Sequence, residues 1–131
     1  MKLKMIKYVI DTSALLALIQ GEKGSDTIVA ALPDAIMSSV NIAEAATVLM
    51  RNQFNKVETT KLINSLIKDS IVFDQEQAFE TANIKAQTKL NGLSLGDCAC
   101  LSLAKLKNLP VLTADKIWSK LNIDIEIKFI R

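Results

Sequence analysis

The stretch MIKYVIDTSALLALI, residues 5–19, decides the fold of this chain. Residues 5–10 are an apolar run of strand length, which predicts a largely buried strand. The residues that follow, Asp11-Thr12-Ser13, are of the types that cap helix N-termini, and the run from Ala14 to Ile19 is helical. We therefore interpret residues 5–19 as a strand that leads directly into a helix, the beginning of a βα unit.

Strand and helix patterns alternate through the rest of the chain. Further strands are predicted at residues 35–38, 71–73, 110–113 and 123–129. Helices are predicted from Ser25 to before Pro33, after Asn41 to Asn52, and at residues 57–68, 79–90, 94–107 and 115–120. This alternation predicts an α/β fold, a three-layer α/β/α sandwich with a parallel sheet of about five strands. The chain has no internal repeat or linker, so we expect a single domain over residues 1–131.

Two patterns predict which faces are buried. Phe79, Ala82, Ala86 and Leu90 recur every three or four residues, which is typical of the apolar face of an amphipathic helix. At residues 123–129, apolar and charged residues alternate strictly. A period of two predicts an edge strand with one face in water.

Composition limits the location of the protein. Half of the 131 residues are apolar, with few Gly or Pro, which disfavours disorder. The N-terminal stretch MKLKMIKYVI holds too short an apolar run for a signal peptide or a membrane span, so we expect a cytoplasmic protein. Cys98 and Cys100 would point to nearly opposite sides of a helix, which excludes a shared metal and favours core packing.

Two carboxylates follow predicted strands. Asp11 comes directly after the first strand, and Asp115 comes after the strand that ends at Thr113. In a parallel α/β sheet, sites form beyond the carboxyl ends of the strands. Both acids are therefore expected at the functional edge.

Glu44 and Asp97 are the other two candidate site residues. Each ends a sequence that resembles a capping box, at residues 41–44 and 94–97, so helix capping explains either acid alone. However, both have small apolar neighbours and no Arg or Lys close in sequence. An ionised carboxylate in such surroundings is costly unless it is paired or bound to a metal. Taken together, the four acids favour a shared cation.

A site built only from carboxylates and water selects a hard cation, Mg²⁺ or Mn²⁺. Such an ion lowers the pKa of an attacking water, so hydrolysis of a phosphodiester needs no histidine, and the chain has none. Thr113 and Ser13 lie beside the acids and could orient a carboxylate or a bound water, or merely cap a helix. The net charge of the chain is +2. Once the four acids are neutralised the remainder is basic, which is compatible with a nucleic acid partner.

Four stretches resemble the PIN domains, and among them the VapC-type toxins of bacterial and archaeal toxin–antitoxin pairs. They are VIDTSALLALI around Asp11, SSVNIAEAATVL around Glu44, GLSLGDCACLSLA around Asp97 and LPVLTADKIW around Asp115. The resemblance implies a Mg²⁺- or Mn²⁺-dependent endoribonuclease that cleaves structured RNA such as tRNA and leaves a 3′-hydroxyl and a 5′-phosphate. It implies Asp11 and Asp97 as chief metal ligands, completed by Glu44 and Asp115 and supported by Thr113.

The resemblance also implies protein partners. Such toxins form homodimers and are silenced by a small antitoxin, in a heterotetramer or larger assembly, that can push a basic side chain into the acid pocket. Candidate antitoxin contacts are Leu15, Leu16, Leu49, Met50 and Phe54, although most of them also suit the core.

Two alternatives use the same acids differently. A Mg²⁺-binding phospho-receiver or other binding module has a similar α/β architecture, with Asp74 as the acid to test for phosphorylation. A receiver, however, needs adjacent acids after the first strand, where this chain has Asp11-Thr12-Ser13. In the other alternative, the four acids hold a structural ion without catalysis.

Overall fold

The structure, a computed structural model, describes residues 5–131. The strands are β1 Tyr8–Ile10, β2 Ala35–Ser38, β3 Ser70–Ile71, β4 Val111–Thr113 and β5 Ile127–Phe129. The α-helices of this range are α1 Thr12–Ile19, α2 Ser25–Ala31, α3 Ser39–Arg51, α4 Lys56–Leu66, α5 Gln75–Gln87 and α6 Leu95–Lys107. Short 3-10 helices span Leu32–Asp34, Lys89–Asn91 and Lys116–Lys120. The first four residues of the stretch MKLKMIKYVI lie outside the described residues.

The five strands form one parallel sheet in the order β3-β2-β1-β4-β5. Neighbouring side chains of a strand point to opposite faces, and each face is covered by helices. Ile10 and Leu112 belong to a buried cluster with α1 to α4, whereas Val9 and Val111 belong to a second cluster with α5 and α6. The predicted three-layer α/β/α sandwich with a five-stranded parallel sheet is therefore confirmed.

The sheet edge at the strand carboxyl ends collects the candidate acids. Ile10 pairs with Leu112 in register, so β1 and β4 end side by side, and Asp11 and Asp115 follow them. α3 starts directly after β2 and carries Glu44, and Asp97 lies in the first turn of α6.

Four strands are shorter than predicted, and β4 lacks only the first of its predicted residues, Pro110. β1 starts at Tyr8 rather than residue 5, and Met5 is 69% exposed. β3 ends at Ile71, and Val72 is 75% exposed. Only the last three residues of 123–129 pair with β4, although the burial of residues 123–128 alternates as predicted. The apolar pattern therefore covers more residues than pair with a neighbouring strand, and the strand bounds predicted from it are too wide.

The start of α3 corrects the predicted cap. Ser38 caps the helix, since its hydroxyl accepts a hydrogen bond from the Val40 N–H. Asn41 therefore lies inside the first turn, and the predicted capping box at residues 41–44 is wrong. The one predicted at residues 94–97 is confirmed, with Ser94 and Asp97 bonding each other's backbone N–H groups.

The predicted buried face of α5 is wrong. The apolar stripe Phe79, Ala82, Ala86 and Leu90 is exposed, with Phe79 at 69% and Leu90 at 99%. The buried residues of the helix are Gln77, Thr81 and Ile84.

Two hydrogen bonds offset part of the cost of turning a polar side of α5 to the interior, although Gln77 Oε1 and Thr81 Oγ1 have no hydrogen-bond partner among residues 5–131. The Gln77 side-chain amide donates to the Val72 carbonyl at 2.9 Å, and the Ser102 hydroxyl of α6 donates to the Gln77 carbonyl at 3.1 Å. Such bonds offset the cost of burying polar groups, and sequence periodicity does not reveal them.

The helix predicted at residues 94–107 is confirmed as α6, and the predicted core packing of Cys98 and Cys100 is confirmed. The residues of α6 from Cys98 to Ala104 are all buried, and both cysteines are free thiols within this core. No helix in residues 5–131 has the length and apolar character needed to cross a lipid bilayer.

Candidate active site

Asp11 is the most buried of the four acids, at 4% exposure. Its carboxylate caps α1 by accepting from the Ala14 N–H at 2.8 Å. It also accepts from the Ser13 hydroxyl at 2.9 Å and from the Thr113 hydroxyl at 2.6 Å. The residue thus joins the end of β1 to the end of β4.

The surroundings of Asp11 disfavour its negative charge. Burial raises its pKa from 3.8 to about 6, against the lowering effect of the hydrogen bonds from Thr113, Ala14 and Ser13. The nearby charge of Asp97 raises it further. A cation at this position would relieve both the desolvation and the repulsion.

Ser13 and Thr113 form one hydroxyl network under Asp11. Their hydroxyl oxygens are 3.2 Å apart. Ser13 Oγ also accepts from the Ala114 N–H, and Thr113 Oγ1 accepts from the Asp115 N–H. The structure thus brings both residues to the carboxylate that they were predicted to orient, and links them to the turn that carries Asp115.

Asp97 is half-buried, and its charge interacts with those of the other three acids. Burial is the main cause that raises its pKa, opposed by the capping-box hydrogen bonds of Ser94, and the charges of Glu44 and Asp115 add to the rise. Asp97 therefore repels Asp11, Glu44 and Asp115, which come from three other parts of the chain.

Glu44 is held by residues that the sequence did not single out as functional. Thr12 Oγ1 donates to Glu44 Oε1 at 2.7 Å, and Asn41 Nδ2 donates to the same oxygen at 2.9 Å. A Cβ atom at Gly96 would overlap the Glu44 carboxylate. The sequence signal for Asn41 was its place three residues before Glu44, and the contacts with Thr12 and Gly96 depend on tertiary packing.

Asp115 caps the 3-10 helix Lys116–Lys120 by accepting from the Ile117 N–H at 3.1 Å. None of the ion pairs formed among residues 5–131 includes Asp115 or the other three acids. The site is thus an acid group without a basic partner in the part of the chain that the structure describes.

The donor chemistry of this group fits a hard divalent cation, since it offers carboxylate and hydroxyl oxygens and its charges repel one another. The carboxylates do not form a complete ligand set, since between residues 5 and 131 no three or more His, Cys, Asp or Glu side chains are close enough to hold one ion. Asp97 is turned to its own helix cap and Asp11 to the hydroxyl network. Ligation would take these oxygens from protein donors or share them through water, as Mg²⁺ sites commonly do.

Known proteins resemble this chain in sequence or in fold. Ribonuclease VapC42 of Mycobacterium tuberculosis is 27% identical over 116 residues, which cover 79% of this chain and 87% of the relative. A toxin-antitoxin complex from Klebsiella pneumoniae contains a chain with a TM-score of 0.70 and 21% identity, covering 92% of this chain and 100% of that one. Mycobacterium tuberculosis VapC20, a sarcin-ricin loop cleaving toxin, gives a TM-score of 0.72 at 13% identity, covering 92% and 99%.

The family comparison covers most of the chain. The model of the PIN domain matches residues 8–123, a range that contains β1, β4 and all four acids. The chain therefore belongs to the PIN domain family.

Proposed function

We propose that this protein is a Mg²⁺- or Mn²⁺-dependent endoribonuclease, the toxin of a type II toxin–antitoxin pair. The observation that carries the proposal is the convergence of Asp11, Glu44, Asp97 and Asp115 at one sheet edge without a basic partner among the described residues. A structural role alone would favour a Lys or Arg at such a group, because paired charges cost less to bury. The similarity to VapC42, which is named a ribonuclease, supports the choice of RNA.

In this mechanism Asp11 and Asp97 would hold the cation, with Glu44 and Asp115 completing the pocket directly or through water. The bound cation supplies a lowered pKa for a water and charge compensation for the phosphate. Ser13 and Thr113 keep the Asp11 carboxylate in place by their hydrogen bonds. The water oxygen attacks phosphorus, the bond from phosphorus to the 3′ oxygen breaks, and that oxygen takes up a proton. The products are a 3′-hydroxyl and a 5′-phosphate.

The surface beside Asp115 suits an RNA backbone. A shallow cleft of about 270 Å³ is lined by Lys116, Ser119, Phe129 and Arg131. Lys116 directly follows Asp115 and is exposed. Cations contact phosphates, and exposed aromatic rings can stack on unpaired bases. The proposed substrate is structured RNA such as tRNA; the neighbour VapC20 is named for cleaving the sarcin-ricin loop.

We also propose a small antitoxin as a partner, in line with the neighbour that was solved as a toxin-antitoxin complex. Of the candidate contacts, Leu15 and Leu49 are buried in the core, so they are excluded as contacts of the folded protein. Met50 and Phe54 remain exposed at 43% and 37%, and Val57 nearby is 61% exposed. They lie at the end of α3, in the α3–α4 connection and at the start of α4, where an amphipathic segment could cover exposed apolar side chains.

A second copy of the chain is the proposed occupant of the exposed α5 face, which consists of Phe79, Ala82 and Ala86 of α5 with Leu90 of the 3-10 helix that follows. Ala82 and Ala86 of this face also line a groove of about 520 Å³, whose lining is largely apolar. The spacing of Ala82 and Ala86, with Ala78 one turn earlier, lets another helix approach closely.

The charges along α5 favour an antiparallel pair. Glu76 lies in its first turn and Lys85 in its last turn, with Lys89 following. A two-fold axis near Ala82 would place Glu76 of each copy opposite position 88 of the other and so beside its Lys89, as an isologous interface requires. A homodimer, with antitoxin a heterotetramer or larger, is the proposed assembly, and the cytoplasmic location stays a prediction.

Expression in cells and cleavage in vitro test the proposed activity. Wild type should arrest growth and degrade RNA, whereas Asp11→Asn and Asp97→Asn should lower cleavage by at least about 100-fold, since each removes a charge needed for the cation. Asp124→Asn, in an exposed acid outside the group, is the matched control and should cleave like wild type. Cleavage that survives EDTA, or equal toxicity of all variants, would contradict the proposal.

The receiver alternative is disfavoured by topology. Flavodoxin-like receivers have the strand order 2-1-3-4-5, whereas this sheet has the order 3-2-1-4-5. Asp74 caps α5 by accepting from the Gln77 N–H, a role that explains it without phosphorylation. Failure of a small phosphodonor to label Asp74 is the expected result.

A further inference from the structure

The two hydrogen bonds to Glu44 converge on one of its oxygens. The Thr12 hydroxyl and the Asn41 amide both donate to Oε1, at 2.7 and 2.9 Å. Oε2 receives no hydrogen bond in the described part of the chain. The arrangement therefore separates the two oxygens, so that Oε1 anchors the side chain and Oε2 remains for a cation or a water.

Asn41 also fixes α6. Its side-chain nitrogen donates to the Gly96 carbonyl at 3.1 Å, across a separation of 55 residues. Gly96 immediately precedes Asp97, the acid that repels Glu44. One amide thus contacts both the Glu44 carboxylate and the helical turn that carries Asp97.

The absence of a side chain at residue 96 is part of the same arrangement. A Cβ atom there would overlap the Glu44 carboxylate, so any larger residue would force the acid away from the first turn of α6. The lack of a side chain at Gly96 leaves space for the Glu44 carboxylate, and the hydrogen bond from Asn41 holds the carboxylate in that space.

Asn41 is an unfavourable choice for stability alone. It is 1% exposed, and its oxygen Oδ1 has no hydrogen-bond partner among residues 5–131. A buried amide with an unpaired oxygen is destabilising compared with an apolar side chain of similar size. We therefore attribute the role of Asn41 to the two hydrogen bonds that its side-chain nitrogen donates, to Glu44 Oε1 and to the Gly96 carbonyl.

We propose that Asn41 is a positioning residue of the acid site, which holds the Glu44 carboxylate beside Asp97 with Oε2 free and so sets the affinity for the divalent cation. The inference rests on the proposed function. Asn41 acts through Glu44 and contacts neither substrate nor cation.

Mn²⁺ binding, measured by electron paramagnetic resonance on the full chain, tests this role without recourse to activity. Asn41→Leu keeps the branched shape of the side chain and removes the hydrogen-bond donors of its amide. The affinity of the Asn41→Leu protein for Mn²⁺ should be about 10-fold to 100-fold lower than that of wild type, the range typical of residues that orient a metal ligand. Thr12→Val removes the other donor to Oε1 and should weaken Mn²⁺ in the same direction, so it replaces Asn41→Leu where that variant does not fold.

Two further variants separate positioning from a general structural effect. In a Glu44→Gln background, Asn41→Leu should cause no additional loss of Mn²⁺ affinity, because the residue that it positions is already changed. Ser102→Ala removes a buried hydrogen bond to the Gln77 carbonyl and is the matched control. It should lower the melting temperature and leave Mn²⁺ affinity unchanged.

The outcomes distinguish this inference from the proposed function. Wild-type Mn²⁺ affinity in Asn41→Leu and Thr12→Val, or an equal loss with and without Glu44, would overturn the positioning role and leave the nuclease proposal intact. A wild-type protein that binds no Mn²⁺ would overturn both.

Discussion

At the scale of single residues, Asp11 shows the conflict that defines this site. Its carboxylate accepts hydrogen bonds from Ser13, Ala14 and Thr113, yet burial and the charge of Asp97 raise its pKa to about 6. The hydrogen bonds orient the group but do not fully offset its desolvation. We interpret this residual cost as the energy that a bound cation would recover.

The raised pKa of Asp11 predicts how pH affects the metal-free protein. Because the folded state holds the proton more tightly, the stabilisation from protonation is complete below the unfolded pKa of 3.8 and is lost as pH rises to about 6. The loss is up to about 3 kcal/mol, since one pKa unit corresponds to about 1.4 kcal/mol. Asp11→Asn should remove this contribution. Urea unfolding in EDTA should therefore show the variant gaining stability relative to wild type between pH 4 and pH 7.

The sign of the stability difference between Asp11→Asn and wild type distinguishes two effects of the carboxylate, helix capping and burial of charge. A lower stability of Asp11→Asn at pH 7 without metal would show that capping of α1 outweighs the burial of charge. The difference between variant and wild type isolates Asp11 from the other carboxylates that titrate in the same range.

The sequence predicts the four acids as candidate site residues but not the residues that hold them. Asp11, Glu44, Asp97 and Asp115 could be predicted because each lies next to an apolar run or within one, where a charge is unusual. Thr12 and Gly96 could not, since a hydroxyl after an acid and a glycine in a helix are common in any sequence. Their role depends on the approach of α1, α3 and α6, which only the folded chain reveals.

At the scale of elements, α5 shows the limit of periodicity. The spacing of Phe79, Ala82, Ala86 and Leu90 correctly indicated a helix and gave the wrong buried face. The Gln77 side-chain N–H and the Ser102 hydroxyl donate hydrogen bonds inside, which offset part of the cost of burying this polar side while the apolar stripe faces outward. α6 was predictable because its residues from Cys98 to Ala104 leave almost no polar side to expose.

The exposed stripe predicts the effect of charge on assembly. Ala82→Asp places a charge at the centre of the proposed dimer interface and should convert the dimer to a monomer of about half the mass in light scattering, because a buried unpaired charge costs several kcal/mol. Asn64→Asp adds the same charge on an exposed residue of α4, which packs on the opposite face of the sheet, and should remain dimeric. Since both positions are exposed in the single chain, both variants should keep the wild-type circular dichroism spectrum. A dimeric Ala82→Asp would exclude the α5 face as the interface.

At the scale of the whole molecule, the order of the strands brings the four acids to one edge of the sheet. The strand order β3-β2-β1-β4-β5 puts β1 at the centre, flanked by β2 and β4. Asp11 and Asp115 thus follow neighbouring strands, and α3 leads from β2 to bring Glu44 beside the start of α6. The parallel sheet could be predicted from the alternation of elements. The order of its strands could not, because nothing local in the sequence encodes which strands are neighbours.

Because the four acids belong to distant parts of the chain, a cation bound among them should stabilise the whole fold. A ligand that binds only the folded state adds about 2.7 kcal/mol at 100 times its dissociation constant. For a domain of this size the melting temperature should then rise by roughly 10 °C. Differential scanning calorimetry with Mn²⁺ and with EDTA measures the shift. Asp97→Asn should lose most of it, whereas Asp124→Asn should keep it. An equal shift in Asp97→Asn would mean that Mn²⁺ stabilises the protein from a different site.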